Sequence, residues 1–238
     1  MTAEPTLRRL ELSDQLPASS LINLIDDAFL THSCDAVRLV ASDATWATLL
    51  ASRRYSVTAD RLSRSSWNRS TPFRLCLGDL TIRSVENHEF ADFIALLQDQ
   101  AIARMLVNLD HPIDDNAALR WIQKRKFTGR PGFQLGVFHL DQLVGSIGIS
   151  SISHALVYFL GHEARGKGYS KTFIGPFVKH SMARWCICRI FAGVFCDNPA
   201  SRHILSASGF VVTGASIIQS PARSHPAKFW EMMYQPAD

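Results

Sequence analysis

Apolar side chains recur along the chain with spacings that separate a first part from a second. In residues 1–50 they fall at helical spacing after Ser19 or Ser20 and again after Ser42, and serine is a common residue at a helix N-cap. The pattern predicts two helices, which would form a small helical N-terminal extension. This part of the sequence contains no repeat and no catalytic motif, and its role is left open.

From about residue 78 onward, segments with the period of a strand alternate with segments with the period of a helix. Strands are predicted at residues 80–85, 133–140, 143–151, 155–160, 189–195, 210–219 and 228–234. Helices are predicted at residues 90–102, after Pro112, from 169 to 185, and from Pro199 to Gly209. Only Asp141 and Gln142 separate the second and third strands, which indicates a tight hairpin. The predicted fold class is α/β (mixed α+β), a mixed sheet with helices on both faces.

The stretch between these two parts is basic and rich in serine. Residues 51–74 contain six arginines and one acid, Asp60, a net charge of +5, whereas the whole chain carries +4. Such a stretch is typical of a solvated linker, and the alternative is a nucleic-acid-binding arm running from Arg53 to Arg74. We expect the linker, with no nucleic-acid partner. The predicted domains are therefore an extension with a linker at 1–75 and a folded domain at 76–238.

Composition is that of an ordinary globular protein. The 238 residues are 47% hydrophobic and 19% charged, which excludes a disordered acidic tail and a low-complexity polymer. No apolar run approaches the roughly 20 residues of a membrane-spanning helix, and the first residues resemble neither a signal peptide nor a transit peptide. We therefore expect a cytoplasmic protein with no membrane partner. Five cysteines without a CxxC pair indicate neither a disulfide framework nor a metal site.

The strongest chemical signal is the segment Arg165-Gly166-Lys167-Gly168, between a predicted strand and a predicted helix. Glycines at alternate positions expose backbone N–H groups at a helix start, where a phosphate is favoured by the helix dipole and by nearby cations. The alternative is a plain strand-to-helix connection. The sequence has no GxxxxGK[ST] motif and no third glycine in GxGxxG spacing, which argues against a nucleoside triphosphatase and a dinucleotide fold.

The order of these motifs resembles the GNAT superfamily of N-acetyltransferases. The glycine segment is followed, about 30 residues later, by Asn198-Pro199-Ala200-Ser201 and then by Ser208-Gly209-Phe210. Within the superfamily this second pair of motifs is most similar to the RimJ/RimL type. The resemblance covers about residues 79–235 and implies a central, mostly antiparallel sheet flanked by helices.

The resemblance also implies a co-substrate, acetyl-CoA, and the residues that hold it. Backbone amides from Arg165 to Tyr169 would bind its pyrophosphate, while Leu160 and Asn198 would bind the pantetheine arm. The implied binding residues are thus Leu160, Arg165, Gly166, Lys167, Gly168, Tyr169 and Asn198. Ser201 matches the serine that protonates the departing thiolate in relatives, and its alternative role is to cap the helix.

The proton acceptor for the amine is less clear from the sequence. Many relatives carry a glutamate at the position of Ala155, and the adjacent His154 is a candidate base because an imidazole titrates near pH 6.5. A purely structural histidine and a water chain are the alternatives. The expected function is acetyl transfer to a primary amine, either a small molecule or a peptide N-terminus, with a homodimer left open. The alternative function is a non-catalytic, acyl-CoA-binding regulatory protein.

Overall fold

The structure is a computed structural model that describes residues 72–185, 187 and 189–235, together with four short strands among residues 7–64. The chain divides into two compact units: the first is Met1–Thr71 with Lys179–Cys188, and the second is Pro72–Val178 with Arg189–Asp238. The two helices predicted after Ser20 and after Ser42 lie outside the described residues.

The described strands of the first unit form a four-stranded sheet. They are β1 (Leu7–Leu10), β2 (Ala36–Leu39), β3 (Tyr55–Thr58) and β4 (Arg61–Arg64), in the order β1-β2-β4-β3. Strands β1 and β2 are parallel, and the other two pairs are antiparallel. The basic stretch thus contains a hairpin, β3–β4, where a solvated linker was predicted. The strands were not predicted because four residues are too few for their alternation to be recognised.

The second unit is built on one sheet of eight described strands. They are β5 (Arg74–Leu77), β6 (Leu80–Arg83), β7 (Phe133–His139), β8 (Gln142–Ile149), β9 (Ala155–Leu160), β10 (Phe191–Phe195), β11 (Phe210–Ile218) and β12 (Ala227–Tyr234). Their order is β11-β12-β10-β9-β8-β7-β6-β5. Strands β9 and β10 pair in parallel, and the other neighbours pair antiparallel. This confirms the predicted mixed, mostly antiparallel sheet.

The described helices flank this sheet. They are α1 (Phe90–Gln98), α2 (Gln100–Ala103), α3 (Asp115–Lys124), α4 (Tyr169–Trp185) and α5 (Pro199–Ala207), with short 3₁₀ turns at Asn87–Glu89 and His162–Ala164. Asp114 caps α3, since its carboxylate accepts the N–H of Ala117 at 2.7 Å. Gly209 follows α5 with a φ of +97°, the left-handed conformation that ends helices, as predicted.

One face of the sheet is covered by the first three helices. Phe93 and Leu97 of α1 lie one helical turn apart and are buried with Ile122 of α3 and Phe159 of β9. The rings of Phe93 and Phe159 meet edge to face at a centroid distance of 6.1 Å. Full burial of each such side chain contributes about 1.5–3 kcal/mol. This core fixes the side of β9 that carries Phe159, and alternation then directs Tyr158 to the other side.

Helix α4 passes through Gly175–Pro176 without ending. A proline inside a helix removes one hydrogen bond, and its ring normally collides with the Cβ of the preceding residue. Here the preceding residue is a glycine, which has no Cβ. The glycine thus removes one of the two collisions that a proline causes inside a helix, and the predicted helix is continuous to Trp185.

The tight hairpin between β7 and β8 is confirmed, but its turn is displaced by one residue. The turn residues are Leu140 and Asp141, whose φ values are +47° and +64°, and Gln142 already pairs with His139. Two consecutive positive φ values are those of a type I′ turn. Without a glycine, the sequence did not reveal which two residues adopt them.

Candidate functional site

The site lies where β9 and β10 separate. Their parallel pairing is limited to Ala155 with Phe191 and Leu156 with Ala192. On its other edge β9 stays bonded to β8: the carbonyl of Ala155 accepts the N–H of Ser150 at 2.9 Å, and the N–H of Gly161 donates to Val144 at 3.0 Å. These bonds alternate along a strand.

The alternation has a consequence for the free edge of β9. Ala155 and Gly161 direct their backbone polar groups toward β8, so the groups of Tyr158 and Leu160 point the opposite way, into the gap left by β10. An extended ligand lying in the gap would therefore meet an edge of strand-type donors and acceptors. The pantetheine arm of acyl-CoA has amide groups that suit such an edge.

A cavity of about 520 Å³ occupies this gap. Val157, on the face packed against α1–α3, contributes to its wall, and so does Tyr158, whose ring meets Phe173 of α4 on the opposite face. The remaining walls come from four parts of the chain: residues 105–108 after α2, helix α5 with its cap, strands β10 to β12, and the turn and start of β9, which contribute Ser150, Ser153, Ala155 and Leu156. The cavity is therefore lined from both faces of the sheet.

Ser201 lines the cavity and is hydrogen-bonded to Tyr158. The two hydroxyl oxygens are 2.8 Å apart. Helix α5 begins at Pro199, and its cap is Asn198, whose Oδ1 accepts the N–H of Ser201 at 3.1 Å. The alternative in which Ser201 itself caps the helix is thus wrong, because Asn198 occupies the capping position. Burial raises the pKa of the Tyr158 phenol above its usual value, so this hydroxyl keeps its proton at neutral pH.

Asn198 also lines the cavity. Its Oδ1 is used by the helix cap, while the amide Nδ2 carries two further hydrogens that can donate. The sequence-derived role of Asn198, a hydrogen bond to the pantetheine arm, is compatible with this geometry, because Nδ2 can donate to a ligand in the cavity.

The glycine segment forms an open loop at the start of α4. Gly166 and Gly168 have φ values of +76° and +82°, and no heavy atom lies within 4 Å of where a Cβ would stand on either. Tyr169 begins the helix, so its N–H and that of Ser170 have no partner within the helix. The donors and the open space fit a phosphate group.

Arg165 is engaged within the loop itself. Its Nε donates to the carbonyl of Leu160 at 3.1 Å, and its Nη2 contacts Asp99 at 3.1 Å. Two of the groups expected to bind the ligand are therefore already in use. The Leu160 carbonyl accepts a hydrogen bond from Arg165, and the Arg165 guanidinium faces the Asp99 carboxylate. The Leu160 N–H still faces the gap.

Lys167 and Tyr169 line a second cavity, of about 320 Å³, beside the glycine loop. The ring of Tyr169 stacks on that of His139 at a centroid distance of 5.0 Å, and His162 borders the same cavity. Lys167 is exposed. Its ammonium is thus the cation of the loop that remains accessible to a bound anion.

His154 stands at the turn before β9, with a φ of +48°. Its carbonyl accepts the N–H of Phe191 at 3.3 Å. Ser153 and Ala155 line the main cavity but His154 does not. His154 therefore does not share the lining of this cavity with Ser201.

Three functional candidates were missed from the sequence. Tyr158 was hidden in an apolar strand, and the only available signal was its place on the face opposite Val157. Glu231 lines the main cavity, and a single acid in the apolar strand β12 was its signal. Arg223 had no signal, because its partners are distant in sequence.

Arg223 connects segments that border the main cavity. Its guanidinium donates to both carboxylate oxygens of Asp197, at 3.0 and 2.9 Å, and to the carbonyl of Arg104 at 3.0 Å. It also lies 3.8 Å from the ring centroid of Phe195. These hydrogen bonds hold the pKa of Asp197 below its usual value. Because Asp197 precedes Asn198, the network positions the cap of α5.

Two negative observations concern the described residues alone. Within residues 72–185 and 189–235, no cluster of three histidine, cysteine or acidic residues has the arrangement of a metal site. Among the described helices, none combines the length and apolarity needed to cross a membrane. The expected absence of a metal and of a membrane partner stays a prediction.

Solved structures share the fold: spermidine N-acetyltransferase from Vibrio cholerae in complex with CoA and spermine has 17% sequence identity and a TM-score of 0.56, covering 65% of this chain and 94% of that chain. RimL, a ribosomal L7/L12 alpha-N-protein acetyltransferase in complex with coenzyme A, has 15% identity and a TM-score of 0.56, covering 68% and 98%. A GNAT-family acetyltransferase from Bacillus anthracis has 15% identity and a TM-score of 0.58, covering 68% and 97%.

No curated protein matches the chain. A family model does: residues 79–211, more than half of the sequence, match the acetyltransferase (GNAT) domain. The chain therefore belongs to the GNAT acetyltransferase family.

Proposed function

We propose that this protein transfers an acetyl group from acetyl-CoA to a primary amine, either a small molecule or a peptide N-terminus. The observation that carries the proposal is the Tyr158–Ser201 hydroxyl pair in a cavity between two separated strands. We assign the activity to residues 76–238. The RimJ/RimL-type assignment rests on the motifs at Asn198–Ser201 and at Ser208–Phe210.

The residues of the gap would hold acetyl-CoA along its length. The backbone groups of Tyr158 and the N–H of Leu160 would bind the amides of the pantetheine arm, assisted by Asn198 Nδ2. The N–H groups at Gly168 and Tyr169 would bind the pyrophosphate. Acetyl-CoA supplies an activated thioester, so the protein has to place the amine against it and stabilise the charge that develops.

Ser201 is proposed to protonate the departing thiolate. Its hydroxyl lies in the cavity and is in contact with the Tyr158 hydroxyl, which can replace the lost proton. The raised pKa of Tyr158 keeps that hydroxyl protonated, which a proton donor requires. The proton that the attacking amine loses would pass to water, and solvent would return a proton to Tyr158, so that CoA leaves as the neutral thiol and the hydroxyl pair is restored. We assign no proton transfer to His154, because it does not line the cavity.

The test is amine-dependent release of CoA from acetyl-CoA, with alkylamines and N-terminal peptides as acceptors and calorimetric titration of CoA in parallel. We expect release that depends on the amine. CoA binding without release for any acceptor would favour the non-catalytic alternative, which the alanine at position 155 keeps open. Failure to bind CoA would overturn both.

A further inference from the structure

The main cavity contains a single charged side chain among the described residues that line it, that of Glu231. The other walls are apolar or carry neutral polar groups. Glu231 has no cationic partner within the described part of the chain. Glu231 is exposed, so its negative charge lies at the solvent edge of a largely apolar cavity, where a ligand can reach it.

The sheet is locally shaped around this carboxylate. Glu231 of β12 lies opposite Gly193 of β10 on one side and Gly214 of β11 on the other. A Cβ on Gly214 would stand 3.0 Å from Glu231 Oε2, so the side chain lies in the space that this glycine leaves. The β11–β12 register shifts between Val212 and Gly214, and the intervening Thr213 donates its hydroxyl to the Glu231 carbonyl at 3.3 Å.

The strand register places Glu231 on the face of the sheet opposite Tyr158. Glu231 shares a face with Gly193, its direct partner, and Gly193 shares that face with Phe191 two residues before it. Phe191 pairs with Ala155, which lies on the side of β9 opposite Tyr158. The carboxylate and the hydroxyl pair therefore approach the cavity from different sides.

We propose that Glu231 binds the acceptor amine in its ammonium form and so selects cationic amines with an apolar body; the nitrogen would lose its proton to water before it attacks the thioester. The proposal rests on the proposed acetyl transfer, which makes the ligand an amine. The residues that line the cavity indicate that this amine is cationic and has an apolar body. Phe191 and Phe229 line the cavity beside Glu231, so an aromatic or alkyl body would bury its surface there while the ammonium meets the carboxylate. An anionic acceptor would be repelled.

The experiment compares two probes of the same shape, phenethylamine and phenethyl alcohol, titrated by NMR into the CoA-saturated full-length protein at pH 7. An alkylamine is protonated at this pH and the alcohol is neutral. We expect the wild type to bind the amine about fivefold more tightly than the alcohol, the upper end of what an exposed ion pair provides. In Glu231→Gln the preference should fall to about twofold or less.

Two further variants make the result specific. Asp141→Asn removes one negative charge at an exposed turn whose positive φ suits asparagine, and it should keep the preference. Gly214→Ala keeps the charge but pushes the carboxylate from its place, and it should reduce the preference while the fold is retained. Gly214→Ala also serves if Glu231→Gln does not fold.

The proposal is overturned if the wild type shows no preference for the amine, or if the preference survives in Glu231→Gln. These outcomes are separate from a failure of acetyl transfer. A preference for the amine without any acetylation would support the cation site and reject the proposed reaction. Acetylation without a preference would support the reaction and reject the cation site.

Discussion

Tyr158 and Ser201 are 43 residues apart in the chain, and their hydroxyl oxygens are 2.8 Å apart in the fold. One stands on a strand and the other in the first turn of a helix, so the contact exists only when α5 packs on the face of the sheet that carries Tyr158. The proton transfer proposed for Ser201 and Tyr158 therefore depends on the position of α5.

Replacing Ser201 by alanine should lower kcat by about a hundredfold, because a donor to the leaving thiolate acts only as charge develops. The affinity for CoA should change little, since Asn198 still caps α5. Steady-state kinetics with calorimetric titration of CoA measure both. An unchanged kcat in a folded variant would contradict the donor role.

Tyr158→Phe removes the partner of Ser201 while leaving the ring that meets Phe173. We expect kcat to fall by about tenfold or more. In the double variant with Ser201→Ala, the losses should be far from additive, because both substitutions interrupt one proton path. Additive losses would show that the two hydroxyls act independently.

Gly168→Ala should weaken CoA binding, because a Cβ would enter the space open to a phosphate and an L residue disfavours a φ of +82°. We expect a loss of about tenfold, as for a hydrogen bond to a charged group. Gly78→Ala is the matched control, since Gly78 also has a positive φ and open space but lies in the β5–β6 hairpin.

Both glycine variants should lose about 1 kcal/mol of stability from the backbone strain. Only Gly168→Ala should lose CoA affinity. Equal affinities for the two variants would argue against a phosphate site at the loop.

Lys167 and Arg165 should behave differently, although both are cations of the loop. Lys167→Ala should weaken CoA but not pantetheine, which lacks the phosphates. Arg165→Ala should weaken both ligands and lower the melting temperature, because it removes the contacts with Leu160 and Asp99 that shape the loop. Competition titration with the two ligands separates the roles, and identical profiles for both variants would refute the distinction.

The Asp197–Arg223 network should make stability depend on pH. The hydrogen bonds from Arg223 lower the folded-state pKa of Asp197 below its usual value of 3.8. Its stabilisation is therefore complete above that value and is lost as the pH falls through the folded-state pKa. The free energies of unfolding of the wild type and Asp197→Asn should differ by up to about 1 kcal/mol at pH 7 and converge near pH 2. Urea denaturation across pH measures this.

The sequence predicted the elements whose signal is local. Strand β9 was predicted with its observed bounds, Ala155–Leu160, and α5 begins at Pro199 as expected. Strand β5 was missed because Arg74 and Cys76 face solvent on an edge strand, where a short alternation of arginine, leucine and cysteine resembles a linker.

The glycine loop and Ser201 could be found from motifs, because the residues that form them are close in sequence. Glu231 and Arg223 could not be found in this way. The place of Glu231 in the cavity depends on its pairing with β10 and β11, and the contacts of Arg223 depend on the segment after α2. The sequence also suggested His154 as a base, because this residue adjoins β9. The structure places it in the turn before that strand, with a φ of +48°, and not among the residues that line the main cavity.

The separation of β9 from β10 lets residues of both sheet faces line one cavity, Tyr158 from one face and Glu231 from the other. In the proposed reaction acetyl-CoA would lie beside Tyr158 and the acceptor beside Glu231, and the two ligands would be bound together. Product inhibition by CoA should accordingly compete with acetyl-CoA but not with the amine.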